Sequence, residues 1–124
     1  MATGVIPKYA DGTDTGWVSV VGDNDSSMLF TGTIKYRVIG ELVNVVGAQI
    51  QLKTDMSSGT GRSIAPYILA DYKPASNVNV IGGNSNKFTQ IQVNTAGSVM
   101  FYRQSSVTWT TTENINFNLF YFKA

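Results

Sequence analysis

The fold is decided at residues 114–122, which read NINFNLFYF. Side chains along a β-strand point alternately to its two faces, so the four apolar residues at odd positions share one face. The opposite face begins with asparagines and ends with Phe120 and Phe122. Two interpretations fit this pattern: a central strand covered on both faces, or a strand with one face in the core and the other at a subunit interface.

The rest of the chain has strand-like composition and frequent turn signals. Val, Ile, Thr, Tyr and Phe are common, no window repeats apolar residues with helical spacing, and turn residues recur about every 8–12 residues. This pattern predicts an all-β antiparallel sandwich of the jelly-roll type in residues 17–124, preceded by an arm or linker in residues 1–16. The predicted strands are 17–21, 33–38, 42–53, 63–69, 77–81, 88–94, 98–103, 107–111 and 114–122.

The longest predicted strand changes parity close to Gly47. Val43 and Val45 point to one side of the strand, whereas Ile50 and Leu52 have the opposite parity. An inserted residue produces such a switch, and glycine in a strand often marks a bulge or a close approach of another chain segment. The sequence therefore predicts a β-bulge or a close contact at Gly47.

Length, charge and composition exclude several classes of function. The 124 residues have a mass of 13.4 kDa, which is the size of one domain. Charged residues make up only 14% and the net charge is +1, which argues against nucleic-acid binding. The absence of histidine and cysteine excludes disulfides, Cys/His zinc sites and histidine-based catalytic triads. We expect no secretory signal and no membrane insertion, because no long apolar run is present.

The eight carboxylates argue against catalysis. Nearly all of them lie in predicted turns, where an aspartate accepts hydrogen bonds from backbone N–H groups and keeps an ordinary acidity. The pairs Asp11/Asp14 and Asp23/Asp25 could be calcium ligands, but neither matches a complete loop motif, and turn formation is the favoured alternative. We therefore expect a protein that is not an enzyme and that has no cofactor and no metal.

The aromatic residues give the candidate binding site. A sugar ring can stack on an exposed aromatic side chain while neighbouring polar groups bind its hydroxyls. Tyr72 is the strongest candidate for an exposed aromatic, whereas Trp109 fits either the edge of the core or an exposed platform. The candidate ligand-binding residues are Asp71, Tyr72, Arg103, Gln104 and Trp109.

Two further side chains have predicted structural roles. Trp17 opens the first predicted strand, and its size favours a place in the core. Arg37 points away from the apolar side of its strand. It is therefore either a solvated surface residue or a member of an inter-subunit ion pair, for example with Glu41, which lies on the other side of the same predicted hairpin turn.

Several segments carry recognisable strand and turn patterns: DGTDTGW at 11–17, IKYRVIG at 34–40, VNVVG at 43–47, IAPYIL at 64–69, YKP at 72–74 and IQVNTAGSV at 91–99. Together they resemble the C-terminal domains of bacteriophage tail fibre, baseplate and receptor-binding proteins, and the resemblance covers residues 9–123. The chain departs from that pattern at residues 66–74, where the usual Leu-Pro is replaced by Tyr67-Ile68-Leu69-Ala70.

The resemblance implies a homotrimeric β-sandwich head at the tip of a phage tail, assembled in the host cytoplasm and carried on the virion. Such a domain either attaches to host cell-surface saccharide or acts as a scaffold that docks to other tail proteins, and the sequence does not separate these two functions. Phe120 and Phe122 would then lie near the buried interface of the oligomer.

Overall fold

A single antiparallel sheet accounts for most of the structure. The structure is a computed structural model that describes residues 12–124. Within this range one short 3₁₀ turn, Ala70–Tyr72, is present and no α-helix occurs, so no helix there could span a membrane. The strands are β1 (Val18–Val21), β2 (Phe30–Thr31), β3 (Thr33–Ile39), β4 (Leu42–Leu52), β5 (Gly61–Ala65), β6 (Val78–Gly83), β7 (Phe88–Val93), β8 (Val99–Tyr102) and β9 (Ile115–Phe122).

The sheet curls so that its two ends approach each other. Its strand order is β1-β3-β4-β9-β6-β7-β8-β5, and β2 pairs with the second half of β4. Just before β2, the N–H of Leu29 donates a hydrogen bond of 2.8 Å to the carbonyl of Ile64 in β5. The predicted all-β antiparallel class is confirmed.

The alternation in β9 corresponds to an inner and an outer face. Ile115, Phe117, Leu119 and Tyr121 are buried against the inner faces of the other strands. On the outer face, Phe120 is 56% exposed and Phe122 is 73% exposed. β9 is central in the sheet, between β4 and β6, but no described part of the chain covers the apolar end of its outer face.

The predicted strand 63–69 is shorter than expected. β5 ends at Ala65, and Pro66 follows, which has no N–H group with which to continue the ladder. Tyr67 then adopts a φ of 58°, a left-handed conformation that turns the chain towards the 3₁₀ segment. The early end of this strand therefore has a local cause in the backbone.

The predicted strand 107–111 is absent. In its place Trp109 forms an isolated bridge with Met56, with backbone N–H···O=C hydrogen bonds of 2.8 and 3.0 Å in the two directions. Turns lie on either side of this bridge, at Ser105 and Ser106 and at Thr111 and Thr112. The two-residue strand β2 was not predicted, because it is too short to show alternation.

The predicted arm lies mostly outside the described residues, which begin at Gly12. Its described part is attached to the sheet, because Thr13 accepts a hydrogen bond of 2.8 Å from the N–H of Gly40, and the N–H of Thr15 donates to Val38 at 3.0 Å. Residues 13–15 therefore extend the edge of the sheet beyond β1.

The predicted irregularity at Gly47 is confirmed. The register between β4 and β9 shifts between Gly47 and Ile50, and the N–H of Gln49 leaves the ladder to bind the side-chain oxygen of Asn116 at 2.8 Å. The left-handed residue of this bulge is Gln49, with φ of 53°. Gly47 itself is required for packing, because a Cβ atom there would lie within 2.9 Å of three atoms of the Phe117 ring.

We expect Gly47→Val to lower the free energy of unfolding by about 1–3 kcal/mol, because the new side chain must displace the buried ring of Phe117. Urea denaturation measures this change. Ala48→Val is the matched control, since Ala48 is the next residue of β4 and is exposed on the outer face. Equal stability of the two variants would contradict close packing at Gly47.

Candidate functional site

The predicted site residues lie in two separate regions of the molecule. Tyr72 is near the end of β9, because its carbonyl accepts a hydrogen bond of 2.7 Å from the hydroxyl of Tyr121. Arg103 and Gln104 follow β8, which is separated from β6 by β7. The end of β8 lies on the side of the sheet where β9 begins. On β9, Tyr121 marks the region of Tyr72 and Asn116 marks the region of Arg103. These two positions are about 17 Å apart at the usual rise per residue of a strand. The two groups therefore lie towards opposite ends of β9.

Tyr72 is half-buried and packs against its neighbours. Its ring centroid is 6.1 Å from that of Tyr36, and the Nζ atom of Lys123 is 6.0 Å from its ring centroid. Burial raises the pKa of the half-buried Tyr36 hydroxyl. Asp71 is exposed beside it on the 3₁₀ turn. Tyr72 is therefore less available for stacking than its loop position predicted.

The structure places Trp109 in the core, so the alternative of an exposed platform is wrong. The side chain is fully buried and meets the ring of Phe101 edge to face, with 5.2 Å between the ring centroids. The Nζ atom of Lys87 lies 5.5 Å from the centroid of the Trp109 ring. A ligand in solvent has no access to this side chain.

Lys87 links the Trp109 region to a partly exposed ion pair. Its Nζ atom is 2.7 Å from an oxygen of Glu113 and donates a hydrogen bond of 2.5 Å to the carbonyl of Thr108. The hydrogen bond from Lys87 lowers the pKa of the Glu113 carboxyl, which also accepts from the N–H and hydroxyl of Thr110. Glu113 therefore holds this loop together as an ionised acceptor.

Trp17, predicted to be a core residue, is 51% exposed. Val18 and Val20 of β1 pair with Tyr36 and Ile34, and Ile34 is fully buried, so the valines have the inward parity. Trp17 has the opposite parity and points outward. The alternation of the neighbouring residues predicts the outward direction of the Trp17 side chain, whereas its size does not.

Arg37 forms an ion pair within its own chain, with Asp14, while the inter-subunit pair stays a prediction. Its Nη2 atom lies 3.1 Å from Oδ2 of Asp14 in the same chain, and the two groups form a bidentate hydrogen-bonded pair. Arg37 faces Asn44 across the β3–β4 ladder, whereas Glu41 lies in the hairpin turn.

Two aspartates of the suspected calcium pairs, Asp14 and Asp25, form local turns, whereas Asp23 accepts a hydrogen bond from the N–H of Gly32. An oxygen of Asp14 accepts a hydrogen bond from the N–H of Gly16, and Asp25 accepts from the N–H and hydroxyl of Ser27. Hydrogen bonding lowers the pKa of both carboxyls, chiefly through Arg37 for Asp14 and through Ser27 for Asp25. Asp11 lies outside the described residues. These contacts support the interpretation as Asx-turns.

A shallow groove of about 150 Å³ brings two predicted site residues together with residues that were not predicted. We call it the β7–β8 groove. The seven residues that line it are Ile81, Phe88, Thr89, Gln90, Tyr102, Arg103 and Gln104.

Phe88 is the exposed aromatic of the β7–β8 groove. It begins β7 and is 66% exposed, with the same parity as Gln90 and Gln92 on the outer face. The side-chain amides of both glutamines donate to Oδ1 of Asn79 on β6, at 2.8 and 2.9 Å. An exposed aromatic ring therefore lies at one end of an ordered row of amides.

Arg103 is the only charged residue in the lining of the β7–β8 groove. Its Nη1 atom donates to the carbonyl of Val107 at 3.0 Å and to that of Gln104 at 3.2 Å, which fixes the guanidinium against the turn after β8. Gln104 is exposed beside it. The groove can offer amide and guanidinium donors together with an aromatic face, but no carboxylate.

The contribution of Phe88 was missed, although the sequence contains its signal. Phe88, Gln90 and Gln92 alternate with Thr89, Ile91 and Val93, so the side of β7 that carries the glutamines must face solvent. An aromatic residue on that side is exposed unless another element covers it.

A second exposed surface lies on the other half of the sheet. We call it the apolar face. In β9, Phe122 pairs with Leu42 of β4, and Leu42 pairs with Ile39 of β3, so these three residues form one row on the outer side. The next row on the outer side begins at Phe120 and ends at Arg37. Trp17 lies beyond Arg37, at the far end of that row. The apolar face consists of Trp17, Ile39, Leu42, Phe120 and Phe122.

No family model, no curated protein and no solved structure matches this chain in the comparisons with known proteins. The chemistry of the β7–β8 groove and of the apolar face is therefore the basis for assigning a function.

Proposed function

We propose that this chain is the receptor-binding head of a bacteriophage tail fibre or baseplate, a β-sandwich domain that attaches to host cell-surface saccharide through the β7–β8 groove. The observation that carries the proposal is the position of exposed Phe88 beside Gln90, Arg103 and Gln104. The apolar face of a sugar ring stacks on an aromatic ring, while amide and guanidinium groups bind its hydroxyls.

The composition of the groove favours binding without hydrolysis. Glycoside cleavage requires two carboxylates on opposite sides of the bond, and the lining of the β7–β8 groove contains none. We therefore propose a binding protein that is not an enzyme.

A shallow groove of this size supports only weak binding by one copy. Stacking of one sugar with two or three hydrogen bonds gives millimolar affinity, about 4 kcal/mol. A homotrimer presents three grooves to one cell surface, and the resulting gain in effective affinity makes weak sites sufficient. The need for several weak sites on one surface fits a head that is carried on a virion and joined to other tail proteins.

We expect Phe88→Ala to reduce adhesion to host cells at least tenfold without a change in the fold, because it removes the stacking surface of the groove. Binding of fluorescently labelled protein to cells measures adhesion, and circular dichroism measures folding. Tyr67→Ala is the matched control, since Tyr67 is an exposed aromatic outside the groove.

Adhesion of folded Phe88→Ala at the level of the unchanged protein would contradict the assignment of the groove. Gln104→Ala tests the same site from its polar side and is expected to weaken adhesion in the same assay. The Tyr67→Ala control should adhere like the unchanged protein.

The apolar face favours a second candidate function, that of a scaffold within the tail that binds other proteins and no saccharide. This function requires exposed apolar surface, which Phe120 and Phe122 provide. Retained adhesion in both groove variants would make the scaffold the better proposal.

A further inference from the structure

We infer that a recess on the apolar face is a second binding site, which takes one uncharged pyranose ring between Trp17 and Phe120. This inference goes beyond the proposed function, which uses only the β7–β8 groove, and its test does not depend on the groove. It is based on two exposed aromatic side chains at opposite ends of one row, on the amide between them and on an arginine whose charge is already compensated.

The recess has the size of one six-membered ring. It lies on the outer side of the sheet and has a volume of about 130 Å³. Its lining consists of Trp17, Arg37, Ile39, Leu42, Asn44 and Phe120. A cavity of about 150 Å³ accommodates benzene, so the recess admits one pyranose ring and leaves the rest of a saccharide in solvent.

Two exposed aromatic side chains bound the recess at opposite ends. Trp17 is 51% exposed and Phe120 is 56% exposed. Phe120 pairs with Asn44, Asn44 pairs with Arg37, and the register of β1 continues so that Trp17 lies opposite Arg37. Three strand spacings, about 14 Å, therefore separate the Cα atoms of Trp17 and Phe120. A sugar that fills this space places an apolar C–H face against an aromatic ring.

An ordered amide lies between the two aromatic residues. The Nδ2 atom of Asn44 donates to Oδ1 of Asn118 at 2.6 Å and to the carbonyl of Leu119 at 3.1 Å, which fixes the orientation of the amide. Among residues 12–124, no donor reaches Oδ1 of Asn44, and this oxygen is not buried. It can therefore accept a hydrogen bond from a sugar hydroxyl.

The charge of the recess favours an uncharged sugar. Arg37 is the only charged residue in the lining, and its Nη2 and Nε atoms lie 3.1 and 3.2 Å from the two carboxylate oxygens of Asp14. The carboxylate of an acidic sugar would compete with Asp14 for this guanidinium, whereas a neutral sugar leaves the bidentate pair intact.

The motif DGTDTGW at 11–17 supplies two parts of this arrangement. The N–H of Gly16 donates to Oδ1 of Asp14 at 3.0 Å, and Gly16 has a φ of 64°, a left-handed conformation that favours glycine. This turn holds the carboxylate of Asp14 against Arg37 and places Trp17 directly before β1. The lining of the β7–β8 groove contains neither side chain, so the recess gives this motif a separate function.

The recess and the β7–β8 groove are separate sites on one sheet. The recess lies on β3, β4 and β9, whereas the groove lies beyond β6 in the strand order. One chain can therefore bind two sugars of the same polysaccharide, which raises its effective affinity without any new contact.

The test uses the fluorescence of Trp17, because Trp109, the only other tryptophan, is fully buried. The probes are the methyl glycosides of glucose, galactose, N-acetylglucosamine and rhamnose, and methyl glucuronide is the charged comparison. We expect acrylamide to quench Trp17 in the full chain. At least one uncharged glycoside at about 50 mM should lower this quenching about twofold, since a single stacked sugar binds with millimolar affinity. The glucuronide should protect Trp17 less.

Phe120→Ser removes the ring opposite Trp17 and keeps the reporter. We expect this variant to require a sugar concentration at least about fivefold higher for the same protection. Phe88→Ser is the matched control, because Phe88 is similarly exposed on a strand but lies in the groove, and we expect it to behave like the unchanged protein. Circular dichroism establishes that each variant is folded.

The inference would be overturned if no uncharged glycoside protected Trp17, or if folded Phe120→Ser were protected as well as Phe88→Ser. Resistance of Trp17 to acrylamide before any sugar is added would also overturn it, because another protein surface would then cover the recess. Protection by the glucuronide alone would contradict the uncharged ligand class. Adhesion of Phe88→Ala tests the groove separately, so failure of either proposal leaves the other intact.

Discussion

Trp109→Ala is expected to lower the free energy of unfolding by about 3–5 kcal/mol, because it empties the largest fully buried side-chain volume of the protein. The ring packs edge to face on Phe101, and Lys87 lies over it, so the neighbours cannot close the cavity without losing these contacts. Urea denaturation followed by circular dichroism measures the change.

Trp17→Ala is the control for this substitution. It removes the same side chain from a half-exposed position, and we expect a change of no more than about 1 kcal/mol. If both tryptophan variants lost the same stability, the buried position of Trp109 would be wrong. Any loss of cell adhesion in Trp109→Ala would reflect unfolding rather than a missing ligand contact.

Gly97→Ala is expected to lower the free energy of unfolding by more than about 3 kcal/mol. Gly97 has a φ of 83°, which alone costs an L-residue about 1–2 kcal/mol. A Cβ atom there would also lie 2.5 Å from the carbonyl oxygen of Leu69 and 2.6 Å from the nitrogen of Ala70. Both are backbone atoms, so relief requires the loop to move. Thermal or urea denaturation measures the loss.

Gly59→Ala separates the two contributions in Gly97→Ala. Gly59 has a similar φ of 73°, but nothing lies within 4 Å of its Cβ position. We therefore expect only the conformational cost, about 1–2 kcal/mol, in the control. Equal effects of the two substitutions would show that the loop around Leu69 yields to the new methyl group at no cost.

Much of the sheet was predictable, because its strands alternate. The parity of β9, the switch at Gly47 and the strands β1, β3, β4, β6, β7 and β8 follow from side chains that point alternately in and out. What the sequence could not provide were features set by distant partners. Trp109 is buried because a bridge to Met56 holds its segment over the core, and Met56 is distant in sequence.

The candidate site was predictable only in part, for a related reason. Arg103 and Gln104 do lie in a groove, but the aromatic residue beside them is Phe88, from a different strand. Tyr72 and Trp109 were selected because polar residues adjoin them in sequence. Adjacency in sequence says little about exposure in a sheet, where the neighbours of a side chain come from the strands on either side.

Strand β9 comes after every other strand in sequence, yet it lies between β4 and β6. During synthesis the two halves of the sheet are therefore complete before the strand that joins them has emerged. Until then β4 lacks its partner along most of its length, Gly83 of β6 lacks its bridge to Asn116, and the residues that β9 will cover stay open to water. Nascent chains that stop before β9 would be prone to aggregate, and protection by a chaperone would have its greatest effect in that interval.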